Sequence, residues 1–166
     1  MIKSSVSNCP VPAEQQPLNE YEELKSSWLF RDCTLSWRDY ITKIALIWGL
    51  SWFVAGPVAA TSFPPHKHTA QFILSGCAGA SVGLVLVLVR LSLGWSYVRD
   101  RLISPVIFYE ESGWYDGQTW TKPEEVVTRD RLIVSYSIQP IIRRLQITFA
   151  GLAVLFVAGT IVWHLV

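Results

Sequence analysis

Charge is scarce in this sequence. Asp, Glu, Lys and Arg make up 16% of its residues, against about 25% in an ordinary soluble domain. The shortfall is concentrated in three long stretches with almost no formal charge. A basic surplus is also missing. The net charge is +1 and the pI near 7.7, which gives no support to a nucleic-acid partner. Cysteine is sparse and scattered: Cys9, Cys33 and Cys77 form no Cys-x-x-Cys pair, so zinc and iron–sulfur ligand spacings are absent. An odd number of cysteines so far apart also argues against a disulfide framework. Cys77 lies inside an apolar run and reads as a small packing residue.

The familiar signatures of catalysis are absent too. There is no Gly-x-Ser-x-Gly, no His-Glu-x-x-His and no phosphate-cradling glycine loop. Glu110, Glu111 and Asp116 sit among turn residues and an amphipathic strand, where carboxylates read as solvated charges. No enzyme is expected. The apolar runs carry no Asp, Glu or His at mid-depth. That argues against a polar-substrate path through a single copy. An apolar ligand such as a pigment or quinone stays open, with Trp48 and Trp52 one helical turn apart, although packing is the plainer use of those rings. No cofactor is identified. The first 36 residues have no apolar signal core and too little arginine for a transit peptide. Insertion through internal spans is expected, as in a bacterial or organelle-encoded chain or one already processed.

What is present is long apolar sequence. Hydrophobic residues make up 51% of the chain. Residues 41–60 form a first candidate span, since twenty residues at about 1.5 Å each cover a hydrocarbon core of about 30 Å. Trp37 and Tyr40 precede it at the expected interface, and Lys43 can snorkel to the headgroups. Gly56-Pro57 is expected to kink or end that helix. Residues 72–89 form the second span, uncharged until Arg90. Ser75, Gly79 and Gly83 form a small-xxx-small ladder, with Gly76 and Ala80 alongside. The ladder suits close packing against the other spans, with a homodimer face as the alternative. Residues 147–166 form the third span, preceded by Arg143 and Arg144 and closed by Trp163 and His164.

Residues 1–40 and 90–146 lie outside the spans. Pro10, Pro12 and Pro17 favour an extended start. Asn19 with Glu22 has capping-box spacing and predicts a helix over residues 20–27. Residues 106–110 read as a strand, and Ser112-Gly113 and Asp116-Gly117 as turns. A two- or three-stranded meander through Thr121 follows. Pro123 sits at a helix start with Glu124 and Glu125 in its first turn, and that helix is expected to reach about Gln139, where Pro140 kinks it or introduces span three. One pentapeptide, Arg-Asp-Arg-Leu-Ile, occurs at 99–103 and again at 129–133. Its flanks do not match, so it is not a structural repeat. Both copies look like helical segments near the membrane surface.

Arg38, Lys43, Arg90, Arg99, Arg101, Arg143 and Arg144 cluster on one side of the spans, whereas the outer loop 61–71 carries only Lys67. The positive-inside rule then puts the N-terminus and the middle region in the cytoplasm or stroma, and the C-terminus opposite. The two inner segments are each too small for a good core, and together they can form one cap. In the outer loop, His66 and His68 are an incomplete metal pair that His164 would have to complete, and a solvated turn is the plainer reading. Trp114, Tyr115 and Trp120 exceed what a small meander can bury, so they are expected to pack on the N-terminal segment, sit on the headgroups or dock a partner.

These residues carry a resemblance. The opening stretch Cys9, Pro10, Val11, Pro12, Glu14, Gln15, Gln16, Pro17, Leu18, Asn19, Glu20 and Tyr21 resembles the first motif of a membrane family of cyanobacteria and plastids. Residues 111–120, with Lys122, Pro123 and the 129–133 pentapeptide including Arg129 and Arg131, resemble its second. The family is the hypothetical chloroplast reading frame thirty-six, also called conserved in the green lineage and diatoms, number twenty-seven. The resemblance covers residues 9–166. It implies a thylakoid membrane protein of oxygenic phototrophs with no established enzymatic activity. Its plant members are linked to tolerance of low iron and to photoprotection. Candidate partner-binding residues are therefore Cys9, Pro10, Glu14, Gln15, Gln16, Asn19, Tyr21, Trp114, Tyr115, Trp120, Arg129 and Arg131. The expected fold is mainly α: three transmembrane helices and a small α+β cap with a β-meander. Its expected partners are membrane lipid and a photosynthetic or assembly protein, with an iron- or pigment-handling role as the alternative.

Overall fold

The computed structural model describes residues 9–110 and 117–165. The first helix, α1 (Pro17–Ser26), starts earlier than the Asn19 cap predicts. Pro17 takes the first helical position, where its fixed φ suits a helix and its missing N–H leaves no donor unsatisfied. Asn19 is thus inside the helix, and its amide instead donates to the Ala13 carbonyl at 2.8 Å. A short α2 (Trp28–Arg31) and a 3-10 turn (Asp32–Thr34) lead to α3 (Trp37–Ser62). Ser36 caps α3 by accepting from the Asp39 N–H at 3.3 Å. Pro57 lies inside α3, which does not end there but continues to Ser62.

The charge at Arg90 does not end the second helix either. α4 runs unbroken over Thr69–Ile103, 35 residues. At 1.5 Å per residue that is about 52 Å, well beyond the ~30 Å of a hydrocarbon core. A charged side chain changes the medium a helix can occupy, not its ability to stay helical, and Pro105 follows only after its end. The third long helix is also extended. α5 (Glu124–Ile133), a π-helical turn (Val134–Ile138) and α6 (Gln139–Leu165) follow without a break. The π turn has a local cause. Pro140 has no N–H for the carbonyl four residues back, and its ring displaces that carbonyl, so the preceding turn widens rather than breaking. Pro123 is the residue before α5 rather than its first.

Three helices are therefore long and apolar enough to cross a membrane. Within these, Phe53, Val54, Val82, Leu86 and residues 154–157 face outward. The small ladder of α4 faces α3. A side chain at Gly76 would collide with Trp52, one at Gly79 would come within 3.1 Å of Ala55 Cβ, and one at Gly83 within 2.6 Å of Ser51 Oγ. Ser75 donates to the carbonyl of Gln71 at 2.7 Å within its own helix. Trp48 donates to Ser81 Oγ at 3.2 Å. The aromatic face of α3 is thus occupied by packing against α4.

The main core lies along the length of α4. Leu84, Leu88, Leu91, Trp95, Val98 and Leu102 are buried, and their alternating spacing of four and three places them in one seam. They meet Val134, Ile138, Ile141 and Leu145 of the returning helix and Tyr21, Phe30 and Cys33 of the N-terminal segment. The N-terminal and middle regions thus share one core at one end of the long apolar helices. The meander is one antiparallel hairpin, β1 (Val106–Glu110) with β2 (Gly117–Thr121), in register from Val106 with Thr121 to Glu110 with Gly117. A lone hairpin is marginal in water. This one buries Ile107 and Tyr109 against Val11, which ties it to the N-terminal segment.

Candidate functional site in the cap

The described residues of the two motifs meet in this cap. Gln15 pairs its side-chain amide with the backbone of Glu110: Nε2 donates to the carbonyl and Oε1 accepts from the N–H, both at 2.9 Å. The side chain thereby satisfies the unpaired edge of β1. Gln16 donates to the Val11 carbonyl at 3.0 Å, which holds the extended start in place. Tyr21 is buried edge-on against Trp95 with ring centroids 6.3 Å apart. Cys9 is half-buried, and Pro10 and Glu14 are exposed. Trp120 is half-buried opposite Ile107. Trp114 and Tyr115 lie outside the described residues.

A buried ion pair holds the other side. Lys122 Nζ donates to Asp130 Oδ2 at 2.9 Å, to the Leu102 carbonyl at 3.0 Å and to the Arg101 carbonyl at 3.1 Å. Its side chain is 1% exposed and that of Asp130 2%. An ammonium has three donors, and all three are used here. Two of them cap the C-terminal carbonyls of α4, where the helix dipole favours a cation. Arg129 covers the other oxygen of Asp130 at 3.0 Å, and Arg131 is exposed. Neither Lys122 nor Asp130 stands out in the sequence as a site residue. The signal that marks them is indirect: Lys122 joins the two copies of the pentapeptide, taking carbonyls from the first and a carboxylate from the second.

Two more arginines stitch the N-terminal segment down. Arg101 donates to Glu20 Oε1 at 2.7 Å, to Tyr97 at 2.9 Å and to the Gln15 carbonyl at 2.9 Å. Burial raises the Glu20 carboxyl above its usual range, and Arg101 offsets part of that rise. Arg144 donates to the Leu35 carbonyl at 2.6 Å and lies 5.6 Å from the centre of the Trp37 ring. Burial pushes the Cys33 thiol up to about 11, so it stays protonated and inert at neutral pH. The buried Trp95 indole N–H has that sulfur beside it rather than an oxygen partner.

At the opposite end of the spans, His66 and His68 are exposed in the turn between α3 and α4. Trp163 packs edge-on against Phe63 at 5.4 Å, which brings the end of α6 toward that turn. Among the described residues, however, no three His, Cys, Asp or Glu side chains come together as metal ligands. His66, His68 and His164 thus do not form such a group.

The family model of CGLD27-like proteins, conserved in the green lineage and diatoms 27, matches residues 9–151. The chain is 43% identical over 158 residues to the chloroplastic protein conserved in the green lineage and diatoms 27 of Arabidopsis thaliana, covering 95% of this chain and 48% of that protein. It thus spans about half the length of the Arabidopsis relative. It is 43% identical over 155 residues to the protein ycf36 of Porphyra purpurea, covering 93% of this chain and 94% of that one. The ycf36 protein of Pyropia yezoensis is likewise 43% identical, over 92% of each chain. No solved structure matches. The two motifs that build the cap lie within the matched residues, and the chain belongs to the CGLD27-like family, conserved in the green lineage and diatoms 27.

Proposed function

We propose that this protein is a non-enzymatic, three-span protein of the thylakoid membrane that supports the assembly, maintenance or photoprotection of a photosynthetic complex. The cap is its docking surface. One observation carries the reading: Gln15, Gln16, Lys122 and Asp130 of the two motifs are used to hold the cap together, while large side chains of the same cap face outward. Phe108 of β1 is 73% exposed and Tyr136 of the π turn 79%. A rigid base with exposed aromatic residues is the usual form of a protein-binding surface. The chloroplast name of the Arabidopsis relative supports a plastid setting.

The cap is read as stromal or cytoplasmic. Arg90, Arg143 and Arg144 lie at its end of the apolar runs, and the short turn at the other end carries Lys67 alone. The C-terminal end of α6 is then lumenal.

Affinity purification from mildly solubilised thylakoids, read by mass spectrometry, tests the function. A photosystem or assembly subunit is expected in the eluate, and a Phe108→Ala/Tyr136→Ala variant is expected to lose it. An eluate without any such subunit counts against the reading. The absorption spectrum and metal content of the same eluate test the pigment- and iron-handling alternative. Protease protection in sealed vesicles tests the orientation, which fails if both termini are cut from the same side.

A further inference from the structure

A groove of about 500 Å³ runs between α1 and the part of α4 beyond its apolar stretch. Phe30 forms its floor and packs directly on Gly94, where any side chain would collide with the ring. Arg90 stands at one end, with its guanidinium 5.6 Å from the centre of the Phe30 ring. Among the described residues Arg90 makes no ion pair. Glu20 and Glu23 line the α1 side. Glu20 gives Oε1 to Arg101, and its Oε2 is buried without a partner. An oxygen in that position is an unfilled acceptor, which proteins seldom leave.

The depth of the groove follows from the sequence of α4. No charge occurs from Thr69 to Val89, and Arg90 is the first. That run is about 30 Å long, so Arg90 stands where hydrocarbon gives way to headgroups. The groove also continues an apolar stripe. Val82, Leu86, Val89 and Leu93 are all exposed, and their spacing puts them in one line leading up to it.

We propose that this groove binds the headgroup of a bilayer lipid that offers both an oxyanion and a hydrogen-bond donor. Its acyl chain lies along the stripe of Val82, Leu86, Val89 and Leu93. The oxyanion seats on Arg90, whose guanidinium makes no ion pair among the described residues. The donor, a hydroxyl or an ammonium, meets the exposed carboxylate of Glu23. A bilayer lipid is the occupant because Arg90, the lining residue nearest the apolar run, sits where the groove merges with surface that faces hydrocarbon. The proposal rests on the membrane-spanning reading above.

Native mass spectrometry of the full chain, released from micelles doped with equal amounts of three lipids, tests it. Phosphatidylglycerol and phosphatidylethanolamine each carry an oxyanion and a donor, and phosphatidylcholine carries only the oxyanion. The first two are expected to be retained about tenfold or more over the third, the scale of one charge-assisted hydrogen bond. Arg90→Gln is expected to abolish that retention. Arg143→Gln, which removes an exposed cation at the same end of the spans, is expected to leave it intact. Equal retention of all three lipids overturns the proposal, as does an Arg90→Gln effect no larger than that of Arg143→Gln. Alkaline carbonate extraction separates the two failures. A chain that washes off membranes sinks the spanning reading itself, whereas one that stays in the pellet with no lipid preference sinks only the groove.

Discussion

Residues 99–103 and 129–133 are the same five amino acids, and both copies are helical, yet they use different members. In the first copy Asp100 is 65% exposed and pairs only with its neighbour Arg99 at 2.8 Å. Arg101 is the working residue there, holding Glu20 and the Gln15 carbonyl. In the second copy Asp130 is buried on Lys122, and Arg131 is exposed. The leucines explain the exchange. Leu102 is fully buried, whereas Leu132 is 53% exposed. The two helices present the pentapeptide to the core in different rotational phases, so a different polar side chain points inward. A short motif therefore does not specify its own chemistry; the phase of the helix that carries it does.

The sharpest way to break that comparison is to remove the aspartate from each copy. Asp130→Ala leaves the Lys122 ammonium buried and unpaired and is expected to cost about 3–5 kcal/mol. Asp100→Ala is expected to change stability by less than about 0.5 kcal/mol. Thermal unfolding of the two purified variants in one detergent checks the contrast, which fails if they melt together. The arginines should rank the other way round. Arg101→Ala gives up charge-assisted hydrogen bonds of about 1.5–3 kcal/mol in total effect, and Arg131→Ala should be nearly silent. Limited proteolysis of the N-terminal segment is a second readout, expected to speed up only in the Arg101 variant.

Replacing the whole buried pair should cost much less than breaking it. Lys122→Met with Asp130→Leu is expected to fall within about 1–2 kcal/mol of the parent, because no unpaired charge remains. A double variant as unstable as Asp130→Ala alone would show that the capping of α4 by Lys122, rather than the ion pair, is what matters. The smallest effect concerns Glu20, the partner of the first copy. Its carboxyl is raised in the folded protein, so the folded state holds that proton more tightly than the unfolded one. Its contribution is then fully present below the ordinary carboxylate range and is lost as pH rises through the raised folded value. Glu20→Gln is expected to flatten the stability profile over that window, seen as a smaller change in melting temperature between acidic and neutral pH.

Some of this was legible in advance and some was not. The apolar runs around residues 41–60, 72–89 and 147–166 are visible because transfer into hydrocarbon depends on composition alone. The hairpin strands and the helix after Pro123 follow from local backbone preferences. The small ladder of α4 suggested close packing, but only the structure shows Trp52 lying on Gly76. The Asn19 cap was misread because two local signals competed, and Pro17 prevailed. The second apolar run stops at Arg90 whereas its helix continues to Ile103, because a charge marks a change of surroundings rather than a helix stop. The π turn before Pro140 has a local cause, but a proline in a helical run is equally compatible with a kink, a break or a widened turn.

The sequence by itself determined the number of apolar helices, the end at which their basic residues gather, and the family, since each is a property of residues near one another along the chain. Only the tertiary structure decided that Lys122 would be buried on Asp130, that Gln15 would close the edge of β1, and that Arg90 and Glu20 would share a groove. Those pairings join residues dozens of positions apart or fix which face of a helix turns inward. Both depend on how α4 and its neighbours dock, and no local stretch of sequence encodes that.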